Sequence, residues 1–297
     1  MSDTETFTRP TTVAEMLERM ENFATDEGWQ KGLDYKPNPS DVFIVTPPKC
    51  GTTWMQQIVH GLRTRGSMDF DEITQVIPWI NMAHDCGIDI DAPQVASPRA
   101  FKTHSTLEES PKGGKYIVIL RNPHDTLISH YYFFEGFFFE KGSIDLETFT
   151  REYYIPRQMI FKHILALWGK HKDENVLALC YENMKADLPK TVERVAEFTG
   201  IALDDELKEI VIRQSDIKFM QAHEDQFEDH IIRTKRGPAM KLPVDGKLSK
   251  VRDGQMGSAK LTLPEHLKQE LDSIWKTEVT PITGFTSYED MRKALIH

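Results

Sequence analysis

Apolar positions along the chain follow two different periods. Short runs rich in β-branched residues, such as Val42-Phe43-Ile44-Val45 and Tyr116-Ile117-Val118-Ile119-Leu120, have no polar alternation. Runs of that kind read as strands buried on both faces of a parallel sheet. The pattern predicts strands at 42–46, 100–102, 116–121 and 176–181. Between them, apolar residues recur at helical spacing, as in Trp54, Met55, Ile58, Val59 and Leu62. Helices are predicted at 11–27, 52–64, 123–135, 156–170, 189–199, 204–214 and 264–276. Alternating strands and helices imply an α/β fold, a central parallel β-sheet flanked by helices. We read residues 1–297 as a single domain, a size that buries a full core. The stretch 227–261 carries several glycines and two prolines with weak periodicity, and is predicted to be a loop within that domain.

Composition narrows the function classes. The formal net charge of −10 argues against general nucleic-acid binding. No apolar run approaches the ~18 residues of a membrane span, and the N-terminal residues are polar without an apolar core of a leader. Cys50, Cys86 and Cys180 are far apart, which fits a reducing cytoplasm rather than a disulfide framework or zinc site. The histidines show no ligand spacing, and no metal is expected. One segment departs from the acidic balance. From Arg233 to Arg252 there are seven basic residues against the single acid Asp245. That segment suits a lid over a small polyanion; a solvated basic loop is the alternative.

Candidate chemistry concentrates in the loops that follow the predicted strands. Thr46-Pro47-Pro48-Lys49-Cys50-Gly51-Thr52-Thr53-Trp54 joins a strand to a helix. Strand, tight loop and helix N-terminus form a phosphate cradle, to which Lys49 adds a charge and Thr52 and Thr53 add hydroxyls. The lysine stands two residues before Gly51, so the loop is not a Walker A motif. Arg121-Asn122-Pro123 closes another strand. Asn122 suits a helix cap and Pro123 a first helical position. Arg121 then sits at the carboxyl end of the sheet, where open α/β sheets bind ligands.

The first loop resembles the 5′-phosphosulfate loop of the cytosolic sulfotransferases, TYPKSGTTW, at seven of nine positions; Pro47 and Cys50 depart from it. The segment Arg121 to Phe133 resembles the family's RNPxDxxxSxxxF element at every fixed position, including Ser129. Lys102-Thr103-His104 resembles its K-[ST]-H element. By this resemblance, strongest over about 37–260, the co-substrate is 3′-phosphoadenosine-5′-phosphosulfate (PAPS). Lys49, Cys50, Gly51, Thr52 and Thr53 then hold the 5′-phosphosulfate, and Arg121 and Ser129 the 3′-phosphate. Trp54 and Tyr181 match positions that sandwich the purine, and Ser215 matches a base contact. His104 is implied as the general base, with Lys49 and Lys102 balancing developing charge. Transfer to a hydroxyl needs such a base, and an imidazole serves. The family's RKGxxGDWK element is degraded to Arg252-Asp253-Gly254-Gln255-Met256-Gly257-Ser258-Ala259-Lys260, which retains Arg252 and Gly254.

The implied reaction is sulfuryl transfer to a hydroxyl, less readily an amine, of a small molecule. Seven aromatics between Tyr131 and Phe139 are either a buried helix end or the wall of an apolar acceptor pocket. Two rival functions stay open: a protein that binds the cofactor without turnover, and a nucleotide kinase. A cysteine phosphatase fails because Gln56 stands where its loop needs arginine. Lys190-Thr191-Val192-Glu193 resembles a family dimer signature but lies in another region, which leaves a homodimer open.

Overall fold

The computed structural model describes residues 7–244 and 263–295. Four parallel strands, β1 (Val42–Val45), β2 (Ala100–Thr103), β3 (Lys115–Leu120) and β4 (Val176–Cys180), pair in the order β2-β1-β3-β4. Val42 pairs with Ala100 on one side and Lys115 on the other. Alternate side chains enter two different cores. Phe43, Val45, Phe101, Tyr116, Val118 and Leu120 face one layer of helices. Val42, Ile44, Ala100, Ile117, Ile119 and Leu177 face the other. Double-sided burial is the reason the strand sequences lack polar alternation.

The Thr52–Thr64 helix lays Met55, Ile58, Val59 and Leu62 on the second face, as its periodicity predicts. Leu188–Thr199 and Asp205–Gln214 pack beside it through Val192, Val195, Leu207 and Val211. On the first face lies the Pro123–Phe137 helix. The Asn122 side chain accepts from the His124 N–H at 2.9 Å, and Pro123 opens the helix, as expected.

Three expectations are corrected. The predicted helix 11–27 is two helices, Val13–Met20 and Asp26–Asp34. Thr25 caps the second one, and the Asp85 carboxylate accepts from both the Thr25 N–H and its hydroxyl. The freed carbonyls of Asn22 and Phe23 accept from Arg236. Tertiary partners thus replace the intrahelical bonds that periodicity assumed. The predicted helix 156–170 passes through a left-handed residue at Gln158 (φ 49°) and ends at Leu167. The predicted loop 227–261 contains a helix, His230–Arg236, anchored by buried Ile232. Residues 245–261 of that loop lie outside the described residues, together with Arg252, Asp253 and Gly254. Among the described residues no helix is long and apolar enough to cross a membrane.

Candidate active site

The strand order places a topological switch between β1 and β3. The chain leaves β1 toward β2 and leaves β3 toward β4, so the loops diverge and open a crevice at the carboxyl ends. The loop after β1 carries Lys49, and β3 is followed by Arg121. Arg121 donates to the Lys49 carbonyl at 3.0 Å and closes the two loops on each other. Its guanidinium also lies over the Tyr181 ring, 4.5 Å from the centroid. Among the described residues its Nε–H is buried without a hydrogen-bond partner.

The loop backbone is left-handed at Lys49 (φ 69°) and Gly51 (φ 99°). A side chain at Gly51 would be strained by that φ, and its Cβ would come within 3.0 Å of Tyr181. Glycine therefore keeps the cradle open. The helix begins at Thr52, whose hydroxyl meets that of Thr46 at 2.5 Å. Its first N–H groups have no intrahelical partners and are available to an anion. The Lys49 ammonium rests 4.2 Å from the centroid of Phe133.

 Of the fourteen residues with a site expectation, eleven line one cavity of about 670 Å³. Those eleven are Lys49, Gly51, Thr52, Thr53 and Trp54 from the first loop, Lys102 and His104 from the end of β2, Arg121 and Ser129 after β3, Tyr181 after β4, and Ser215. Cys50 is the exception among the described residues. Its side chain is buried in the core, with Sγ 3.7 Å from the Thr126 hydroxyl, and burial pushes its thiol up to about 12. Arg252 and Gly254 lie outside the described residues.

His104 Nδ1 lies 2.8 Å from the Thr46 carbonyl. A carbonyl only accepts, so Nδ1 carries the proton and Nε2 keeps its lone pair. The ring meets Trp79 edge to face at 4.7 Å. Burial, and then the Lys102 charge, push the imidazole down to about 3, against the Thr46 carbonyl, which favours the charged form. Lys102 is buried too, and its ammonium lies 3.5 Å from the Asp229 carboxylate. Its charge is therefore shared with a partner, which the sequence expectation did not include. Asp229 also lines the cavity, as do Lys185, His130 and Tyr153. No motif pointed to these four, which adjoin the site through tertiary packing.

Trp54 and Tyr181 meet edge to face, with centroids 5.5 Å apart. Both rings line the cavity. Trp54 Nε1–H donates to the Ser215 carbonyl at 2.8 Å, while the buried Ser215 hydroxyl has no hydrogen-bond partner among the described residues. Of the seven aromatics between 131 and 139, Tyr132, Phe133, Phe134, Phe137 and Phe138 line the cavity. Tyr131 and Phe139 do not; they pack into the core instead. The basic segment is only partly described. Within it, Arg233 lies 3.5 Å from Glu228 and Arg236 holds backbone carbonyls, so neither faces the cavity.

A family model described as "Sulfotransferase domain" matches residues 39–294. Mouse Sulfotransferase 1B1 is 25% identical over 275 residues, covering 86% of this chain and 88% of that protein. Rabbit amine sulfotransferase is 29% identical over 197 residues, covering 63% and 65%. Among solved structures, mouse sulfotransferase SULT7A1 complexed with PAP shares the fold at TM-score 0.65 and 21% identity, over 92% of this chain and 94% of that one. The chain belongs to the sulfotransferase domain family, and its reaction class is transfer of a sulfuryl group.

Proposed function

We propose that the protein transfers the sulfuryl group of PAPS to a hydroxyl of a small, largely apolar acceptor, with His104 as general base. The observation that carries this reading is the His104–Thr46 hydrogen bond. It fixes the tautomer whose Nε2 is a base, on the wall shared by the phosphate cradle and the aromatic surface.

The residues present fit PAPS. Among the described residues the Arg121 Nε–H and the Ser215 hydroxyl are buried without partners, and a phosphate and a base would satisfy them. Gly51 leaves room beside Tyr181, and three structural neighbours were solved with PAP. When bound, the nucleotide supplies the activated sulfuryl group and a phosphate leaving group. Lys49 and the N–H groups at the Thr52 helix start balance charge that grows on the leaving oxygen. Arg121 and Ser129 hold the 3′-phosphate, where a guanidinium fork binds oxygens in pairs. His104 Nε2 takes the proton of the acceptor hydroxyl as it attacks. Lys102, paired with Asp229, orients the charge near the transferring group rather than adding a whole free cation. The aromatic wall holds the acceptor and keeps water out.

The test is thermal stabilisation and turnover together. Adenosine 3′,5′-bisphosphate raises the melting temperature through mass action, and adenosine 5′-monophosphate does so far less. Labelled PAPS then delivers sulfuryl to members of a panel of phenols and aliphatic alcohols. Equal stabilisation by both nucleotides would remove the basis for the PAPS assignment.

A further inference from the structure

Two polar groups stand on the acceptor wall without any part in the proposed chemistry. His130 is buried to 2% exposure and lines the cavity. Its ring is enclosed by Phe134, Phe149, Tyr153 and Tyr154, with centroids between 4.6 and 6.0 Å away. The imidazole is thus met by aromatic rings, and its ring nitrogens are not among the fully enclosed unpartnered atoms of the described residues. Tyr153 also lines the cavity, with the Arg157 guanidinium stacked 4.1 Å from its ring centroid.

An imidazole on the wall of a largely apolar cavity favours a ligand that pairs with it. The ring faces and edges that meet it are not themselves conventional acceptors. Burial, then the charges of Lys49 and His104, push it down to about 3, so it is neutral at neutral pH. A neutral imidazole offers one N–H donor and one lone pair. It therefore suits a hydroxyl, which does both, or a carbonyl oxygen, which accepts. The neighbouring Phe133, Phe137 and Phe138 offer neither.

On this basis, and resting on the acceptor reading above, we propose that His130 is a specificity residue that hydrogen-bonds a second oxygen of the acceptor, distinct from the hydroxyl that receives the sulfuryl group. The favoured acceptors are then apolar diols or keto-alcohols rather than simple alcohols. A site built to hydrogen-bond a substrate oxygen discriminates against the analogue that lacks it, because its own polar group is left unpaired.

The experiment compares mono-alcohols with diols and keto-alcohols on the same carbon skeleton. It uses the wild type, His130→Phe and His130→Gln. Both kcat/KM with PAPS and equilibrium binding with adenosine 3′,5′-bisphosphate present are measured. The wild type should prefer at least one two-oxygen acceptor by about tenfold or more. His130→Phe should bring that ratio near one, and His130→Gln should retain part of it. A wild type without preference in either assay overturns the proposal, and needs no variant to fold. So does a preference that survives His130→Phe. A binding preference without any transfer would uphold the recognition by His130 and overturn the transferase reading instead.

Discussion

The Nδ1–H of His104 is held by the carbonyl of Thr46 at 2.8 Å, which ties the candidate base to the strand that launches the phosphate loop. The imidazole that follows β2 is thereby aligned with the loop that follows β1. The pairing of these two strands sets the distance between base and cradle before any ligand arrives.

His104→Ala should lower turnover by about 10²–10⁴-fold while nucleotide affinity stays nearly unchanged. Lys49→Ala should lower both, since its ammonium serves the bound phosphate and the leaving group. Nucleotide titration and single-turnover transfer separate the two effects. Wild-type turnover in His104→Ala would place the base elsewhere.

Stability should decline on acidification before most carboxylates protonate. His60 and His163 are pushed down to about 4, and His104 and His130 to about 3, chiefly by burial. The unfolded chain protonates these groups near the ordinary histidine value, and the folded one does so only at lower pH. Their contribution is thus fully present above about pH 6.5 and is lost as pH falls toward 3–4. Each contributes at most ~1.4 kcal/mol per pH unit. Urea melts at pH 7.5, 6 and 5 check this, and a midpoint that does not fall over that range contradicts it.

Asp229→Ala should destabilise the protein by about 3 kcal/mol, because it removes a carboxylate from the buried Lys102 ammonium. Lys102→Met combined with Asp229→Leu should recover part of that loss. A double-mutant cycle on chemical denaturation measures the coupling. Additive effects would show that the two side chains act independently.

Gly51→Ala should cost about 1–2 kcal/mol from its left-handed backbone. It should also weaken binding of adenosine 3′,5′-bisphosphate, because the added methyl meets Tyr181 within the cradle. Calorimetry on the folded variant separates the two. Unchanged nucleotide affinity would mean that the loop does not hold the ligand.

Local sequence determined the strands, the helix that begins at Thr52, the Asn122 cap and the two loops at the carboxyl edge of the sheet. These features depend on short-range periodicity and on residues within a few positions of each other. Tertiary structure decided what such spacing does not carry. The break between Met20 and Asp26 depends on Asp85 and Arg236, which are remote in sequence. The turn of Cys50 into the core depends on Thr126 and the sheet beneath it. The edge-on meeting of Trp54 and Tyr181 depends on how the first turns of two helices dock. Asp229 reaches Lys102, and His130 reaches the cavity, through contacts between segments far apart along the chain. A motif records which groups stand near one another in sequence. Side-chain direction, burial and the sharing of charge are set by long-range packing, where a neighbour's identity becomes legible only once the chain has folded.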